Sequence, residues 1–323
     1  MRQLVPPVAG GLALLIAFLV LIGTALRDPH PHDIPVGLVG PPPPVGDISH
    51  EFDTNAPGVF RFTTYTSEAA ARAALDSRDI DGALVIGGPA PRLIVAGAAG
   101  DGVTGVITSA FTNAFKAQGT TVAVEVVHPF AAGDAHGIVL FFVVVAVIIS
   151  SVVAQAVLFT TARGSGFQTH LAVVIAYAVL AGPIAMGTAQ WIAGDYGSGF
   201  WSAAGLVTLG SAAVGAIVCG LARLLGRAGF ALAALVIVLL DIVSSGGPVG
   251  SQLLPDFYRW VAPWLPAGPL YSALRGALYF NGAGVAGPVL VLSGWLAGGL
   301  VLMLLGSLVS SRSRAPEASA APA

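Results

Sequence analysis

One carboxylate stands inside an otherwise uncharged apolar run: Asp241, in the stretch 229 to 248. It lies about 11 residues into that span, hence roughly 16 Å from its inner end and just beyond the midplane of a ~30 Å hydrocarbon core. An ionisable group at that depth costs roughly 2.5–3.5 kcal/mol on insertion scales, so it should face protein or water and have a partner. Arg259 or Arg275 is the expected partner. Two roles fit, a structural pin or a point on a substrate or proton path, and no second intramembrane carboxylate stands near to form a relay. Asp28, His30, His32 and Asp33 in RDPHPHD have ligand chemistry for zinc or copper. Two histidines two apart in an extended linker also make a plain polar spacer, and no further cluster completes a four-ligand set, so no metal is expected. The single lysine, Lys116 in AFKAQG, lacks the glycines of a phosphate loop, and no GxSxG, HExxH, CxxC or paired-carboxylate pattern occurs. No catalytic residue and no cofactor is expected, and any energy would come from a partner ATPase.

What must position Asp241 is the stretch that follows it, Ser244 to Phe280, SSGGPVGSQLLPDFYRWVAPWLPAGPLYSALRGALYF. Pro255, Pro263, Pro266 and Pro269 cut it into pieces too short to span a bilayer, which takes about 20 unbroken apolar residues. A re-entrant helical hairpin is expected, with Pro255 and Pro269 each in a first helical turn. Phe257, Tyr258, Trp260, Trp264, Tyr271, Tyr279 and Phe280 suit the headgroup level, where Arg259 and Arg275 reach water or lipid phosphate. Tyr271, Arg275 and Tyr279 fall at i, i+4 and i+8, so the Arg275 guanidinium is expected to stack between the two rings.

The order SSGG at 244–247, LLP at 253–255, Pro263 followed by Leu265–Pro266, and Leu274–Arg275 before a last apolar run resembles the final extracytoplasmic loop of type-2 ABC-transporter permeases. It is closer still to the phage-infection-protein group related to them. A second likeness lies upstream, where SEAAARAAL followed by IDGALVIGG is similar to the extracytoplasmic domain of single-chain, six-helix type-2 permeases. The resemblance implies a membrane subunit driven by a separate ATPase and associating as a homodimer or heterodimer. It departs from the pattern between the second and third spans, where many permeases carry a charged docking helix and this chain has TARGSGFQTH.

Composition agrees with a membrane protein: 55% hydrophobic residues, 9% charged, 42 glycines and a mean hydropathy of +0.85. Soluble domains average about 25% charged. No basic run exists to grip nucleic acid, and the one cysteine, Cys219, excludes an intramolecular disulfide. Residues 8 to 26 form the first apolar run, read as a retained transmembrane anchor (1–26) over a secretory signal because its core exceeds the usual 7–15 residues. Residues 27 to 136 hold 12 of the 16 acidic residues and alternate strand-like and helix-like runs, so a small extracytoplasmic α/β domain is expected there. Its strands are read at 34–39, 59–65, 83–87, 92–97 and 120–127, its helices from Ser67 and over 104–118, and PPPP at 41–44 as loop. Residues 137–160, 171–192, 200–224, 229–248 and 285–309 are five further spans, forming a five-helix membrane domain (137–309) that includes the re-entrant stretch 244–280. The fold class is therefore a mainly α-helical polytopic membrane protein of six transmembrane helices, and the small-residue tail (310–323) is expected to be disordered and cytoplasmic.

Short-loop arginines (Arg2, Arg163, Arg227, Arg312, Arg314) place both termini in the cytoplasm and 27–136 outside a plasma membrane. Gly294 with Gly298, and Ser211 with Gly215 and Cys219, are expected to let helices approach closely. Arg163 and Gln168 are the expected ATPase contact. Two functions follow: the permease subunit of an exporter for an amphipathic or lipid-like substrate, or a non-transporting envelope protein whose outside domain binds a partner or organises an assembly.

Overall fold

The computed structural model describes residues 5–27, 29–88, 90–162 and 165–312. Six helices among them are long and apolar enough to cross a membrane, as the sequence implies, and the chain is a multi-pass membrane protein. The first, α1 (Val5–Leu26), leads into an α/β unit of five strands: β1 (Ile34–Val39), β2 (Phe60–Tyr65), β3 (Gly82–Val85), β4 (Arg92–Ala96) and β5 (Ala123–Val127). Between them run α2 (Pro42–Asn55), α3 (Glu68–Asp76) and α4 (Asp101–Ala117). The strand order is β2-β1-β3-β4-β5, parallel except for the antiparallel β3–β4 pair.

Alternation along β1 explains the layering, because successive side chains leave opposite faces of a strand. Ile34, Val36 and Leu38 join Phe60, Leu84, Leu93 and Phe111 in a core beneath α2 and α4. On the opposite face Val39, Ala83 and Ile94 meet Ala71, Ala74 and Leu75 of α3. Ser67 caps α3, its hydroxyl accepting from the Ala70 N–H at 3.2 Å. The reading of PPPP as loop is corrected: Pro42 opens α2. Proline is tolerated in a first turn because its missing N–H would have no intrahelical partner there.

The remaining spans follow: α5 (Ile138–Thr161), α6 (Phe167–Ala193), α7 (Phe200–Leu225), a composite fifth span and α12 (Ala286–Arg312). The fifth comprises α8 (Arg227–Ala233), a π-helical stretch (Ala234–Leu240) and α9 (Asp241–Ser244). After it, residues 245–285 form a connecting segment holding α10 (Asp256–Val261) and α11 (Ala267–Tyr279). Leu270, Ala273 and Leu274 of α11 belong to the same core as α5, α6 and α7.

Contacts sort the connections into two ends. At one, the Gly133 N–H donates to Ala193 O at 3.0 Å and Tyr271 Oη donates to Gly137 O at 3.2 Å, so the α/β unit, the α6–α7 link and the connecting segment lie together. At the other, Arg223 donates to His170 Nδ1 at 3.0 Å beside Ser165. Gly137 has φ +69° and starts α5; a side chain there would strike Phe130 and Tyr271. Lacking a cap of its own, α5 is capped by the buried Asp134, which accepts from the Val139 and Leu140 N–H groups at 2.9 and 3.1 Å.

The small-residue expectation divides. Ser211 is buried and hydrogen bonds with Ser151 across the α5–α7 interface at 3.0 Å, and Gly215 sits against Gln155 and Val174. Gly294 and Gly298 are exposed with nothing within 4 Å of where a Cβ would lie, which corrects that pair. Gly299 makes the α12–α7 contact instead, its Cβ position lying 2.6 Å from the Ala216 carbonyl carbon. One helical residue is about 100° of rotation, enough to turn Gly298 away from the neighbour.

Candidate functional site

The connecting segment is tied to α1, to the α/β unit and to α12. On α10, Tyr258 Oη donates to Leu21 O at 2.9 Å and lies 2.6 Å from Thr24 Oγ1, which attaches α1. Arg259 pairs with Asp33 at 2.9 Å and with Asp256 at 3.2 Å. The His32 N–H donates to Gln252 O at 3.0 Å, and Leu253 enters the first core of the α/β unit while Phe280 enters the second. Trp295 Nε1 on α12 donates to Trp264 O at 2.7 Å, holding the break between α10 and α11.

Neither arginine partners Asp241, correcting that expectation. Asp241 is fully buried, and its Oδ1 accepts from the Ala267 N–H at 2.8 Å. The residue flanking α11 on its N-terminal side is Pro266, which has no side-chain acceptor, so Asp241 caps α11 from another helix. A carboxylate at a helix N-terminus also meets the favourable end of the helix dipole. Oδ2 has no hydrogen-bond partner among the described residues. The contact that exists is that of a pin.

Arg275 is also reassigned. Its guanidinium lies over the Tyr271 ring at 4.9 Å, as expected, but Tyr279 packs edge-on against Phe130 at 5.3 Å instead of closing a sandwich. Arg275 Nη1 donates to Ala98 O at 3.3 Å and to Ala99 O, in the turn between β4 and α4. A reciprocal arm comes from Arg78, just after α3. It donates to Ser272 O and Oγ on α11 at 3.0 and 3.1 Å and to Ala283 O at 3.3 Å, and it lies over Phe280 at 5.2 Å. The two arginines thus cross in opposite directions between the α/β unit and α11.

They also line one cavity of about 550 Å³. Its charged lining is Arg78, Arg275 and Asp81, and Asp81 Oδ2 accepts from Gln252 Nε2 at 3.4 Å. The lining also includes apolar side chains, among them Pro263, Trp264, Pro269, Pro288 and Val291. Burial pushes Asp81 up to about 6 against the pull of Arg275, Arg78 and Arg61. Burial, reinforced by Arg275, lowers Arg78 to about 10. Size and mixed lining are those of a small-molecule site, typically ~300–1,000 Å³.

Sequence reading missed Arg78 and Asp81, since SRDID after α3 looks like a solvated turn. The backbone gives the sign: Arg78 has φ +66°, a conformation that costs a non-glycine residue about 1–3 kcal/mol and persists where the surroundings enforce it. Gln168 is exposed on the first turn of α6, which begins four residues before the expected 171. Arg163, Asp28 and the tail beyond 312 lie outside the described residues. Among the described residues no three His, Cys, Asp or Glu side chains gather as a metal set, and Asp33, next to His32, is engaged by Arg259. Comparison with protein-family models, curated proteins and solved structures finds no match to this chain.

Proposed function

We propose that this chain is the permease subunit of an ATP-driven exporter, moving an amphipathic or lipid-like substrate outward across the plasma membrane with a separate ATPase. The α/β unit is then extracytoplasmic, both termini are cytoplasmic, and α10 and α11 form a re-entrant hairpin. The observation that carries this reading is the cavity between the α/β unit and α11, whose lining combines Arg78, Asp81 and Arg275 with apolar residues of the connecting segment and of α12. Arg78 and Arg275 join that cavity to the α/β unit, and Asp241 joins α11 to the fifth span, so a movement of the span reaches the cavity walls. On this reading Asp241 is a pin that transmits movement, and two copies or a copy and a relative associate.

The second reading, an envelope protein that binds a partner through its outer domain, is favoured by one observation. Because α6 begins at Phe167 and Arg223 ties His170, the α5–α6 connection spans only 162–166, short of a docking helix. Crosslinking separates the two. With Cys219 replaced by alanine, a cysteine at exposed Gln168 captures a subunit bearing a phosphate loop if the exporter reading holds. Failure to capture one, with a partner recovered through the α/β unit, selects the second reading.

A further inference from the structure

The exporter reading leaves open what the cavity binds. Three features of its lining narrow the chemistry. First, the charges do not balance: two guanidinium groups face one carboxylate. A guanidinium has five N–H donors, and Arg275 Nε is buried without a hydrogen-bond partner among the described residues. Two arginines held at one site suit an oxyanion with several acceptor oxygens, such as a phosphodiester. Second, the lining includes Gly287, Pro288 and Val291 of α12, a helix long and apolar enough to span a membrane, and Trp264, which is 66% exposed. An apolar residue that is exposed and lies beside such a helix suits contact with an acyl chain. Third, about 550 Å³ holds a polar headgroup and the first few carbons of a chain, and not a whole lipid.

We infer that the cavity is a binding site for an anionic amphiphile of the phosphodiester class, its headgroup between Arg78 and Arg275 and its chain passing Trp264 and Val291 into the bilayer. The inference deepens the exporter reading and rests on it only for calling the bound molecule a substrate. Asp81 is the built-in competitor for the arginines. The charged groups acting on it are Arg78 beside it, Arg275 from α11 and Arg61 from β2, with Gln252 as its hydrogen-bond donor. With Asp81 raised to about 6, acidification through that pH removes the negative charge and leaves both arginines to the ligand.

The test uses the full chain in phosphatidylcholine nanodiscs, with no ATPase present, so its failure is separate from a failure of the exporter reading. The probe is phosphatidylglycerol with a photoreactive group in the acyl chain; its phosphodiester keeps one charge across the pH range used. Capture is expected to map to the 263–291 region and to strengthen as pH falls from 7 to 5. Arg78→Gln and Arg275→Gln each weaken capture by about tenfold or more. Asp81→Asn strengthens it at pH 7 and removes that pH dependence. Because the arginines also hold the α/β unit, a variant that leaves them alone is needed. Gly287 lines the cavity and a Cβ there meets nothing within 4 Å, so Gly287→Phe adds a bulky ring at the lining without a clash; it should abolish capture with the thermal unfolding profile unchanged. Unchanged capture in Gly287→Phe, or weaker capture in Asp81→Asn with the fold intact, overturns the site. Equal capture of a photoreactive phosphatidylcholine overturns the anionic class. Competition by soluble glycerol phosphate as strong as by the lipid overturns the amphiphile.

Discussion

Asp241 caps a helix that begins 26 residues further along the chain, and the substitutions that test it differ in whether an acceptor oxygen is kept. Asp241→Asn keeps an acceptor for the Ala267 N–H and should express and unfold like the parent. Asp241→Leu leaves that N–H buried and unpaired, a loss of about 1–3 kcal/mol, read as a lower unfolding temperature in detergent and faster proteolysis within 245–285. If the exporter reading holds, normal export in Asp241→Leu removes the pin from it. The arginines rank by what they leave behind. Arg259 pairs with Asp33 and Asp256, whose side chains are 64% and 90% exposed, so Arg259→Ala should cost at most about 1 kcal/mol. Arg275→Ala strips the Ala98 and Ala99 carbonyls of their donor between two packed units and should cost about 1–3 kcal/mol. Equal unfolding temperatures for the two variants would refute this ranking.

At the scale of elements, the α7–α12 pair depends on the absence of side chains along one line. Gly220 meets Leu302 and Gly299, Gly299 meets Ala216 and Ile217, and Gly306 meets Arg223. Gly299→Leu would drive a side chain into the α7 backbone and should prevent assembly or destabilise it by several kcal/mol, beyond the usual ~1–3 kcal/mol of overpacking. Gly298→Leu, facing open space, should be tolerated. Comparing the yield of monodisperse protein for the two variants checks this, and similar losses would mean Gly298 faces a neighbour absent from a single chain. The π-helical stretch 234–240 acts in the same way on the fifth span. It changes the helix phase just before Asp241, so the face on which Asp241 points cannot be obtained by counting 3.6 residues per turn.

For the whole molecule, the α/β unit and the membrane helices share packing and hydrogen bonds. Both cores of the α/β unit contain residues from the connecting segment, and two arginines cross the junction. The unit expressed alone would expose the sites of Leu253 and Phe280 and lose stability accordingly. The partition of loops between two ends leaves one choice, which end is cytoplasmic. The described arginines Arg223 and Arg227 stand at the end away from the α/β unit, so a reporter in the exposed turn at Gly119 should read outside and one after Ser310 should read cytoplasmic. Protease access to the 27–136 region only in opened cells would reverse the orientation.

The six spans, the five strands and the helices α3 and α4 were legible in the sequence because each is a local signal: twenty apolar residues, an alternating run, a Ser cap before an amphipathic repeat. That the segment from Ser244 to Phe280 is not a plain span was legible because its prolines break it into short pieces. Partners were not legible. The type and depth of Asp241, Arg259 and Arg275 signalled that each needed a counterpart, yet Asp241 took a backbone N–H, Arg259 took Asp33 and Arg275 took two carbonyls. Arg78 and Asp81 carried no signal, since a charged turn reads the same whether water or α11 covers it. Local sequence sets which groups must be satisfied; only the tertiary structure, by packing elements distant in the chain, decides which groups satisfy them and leaves the cavity between.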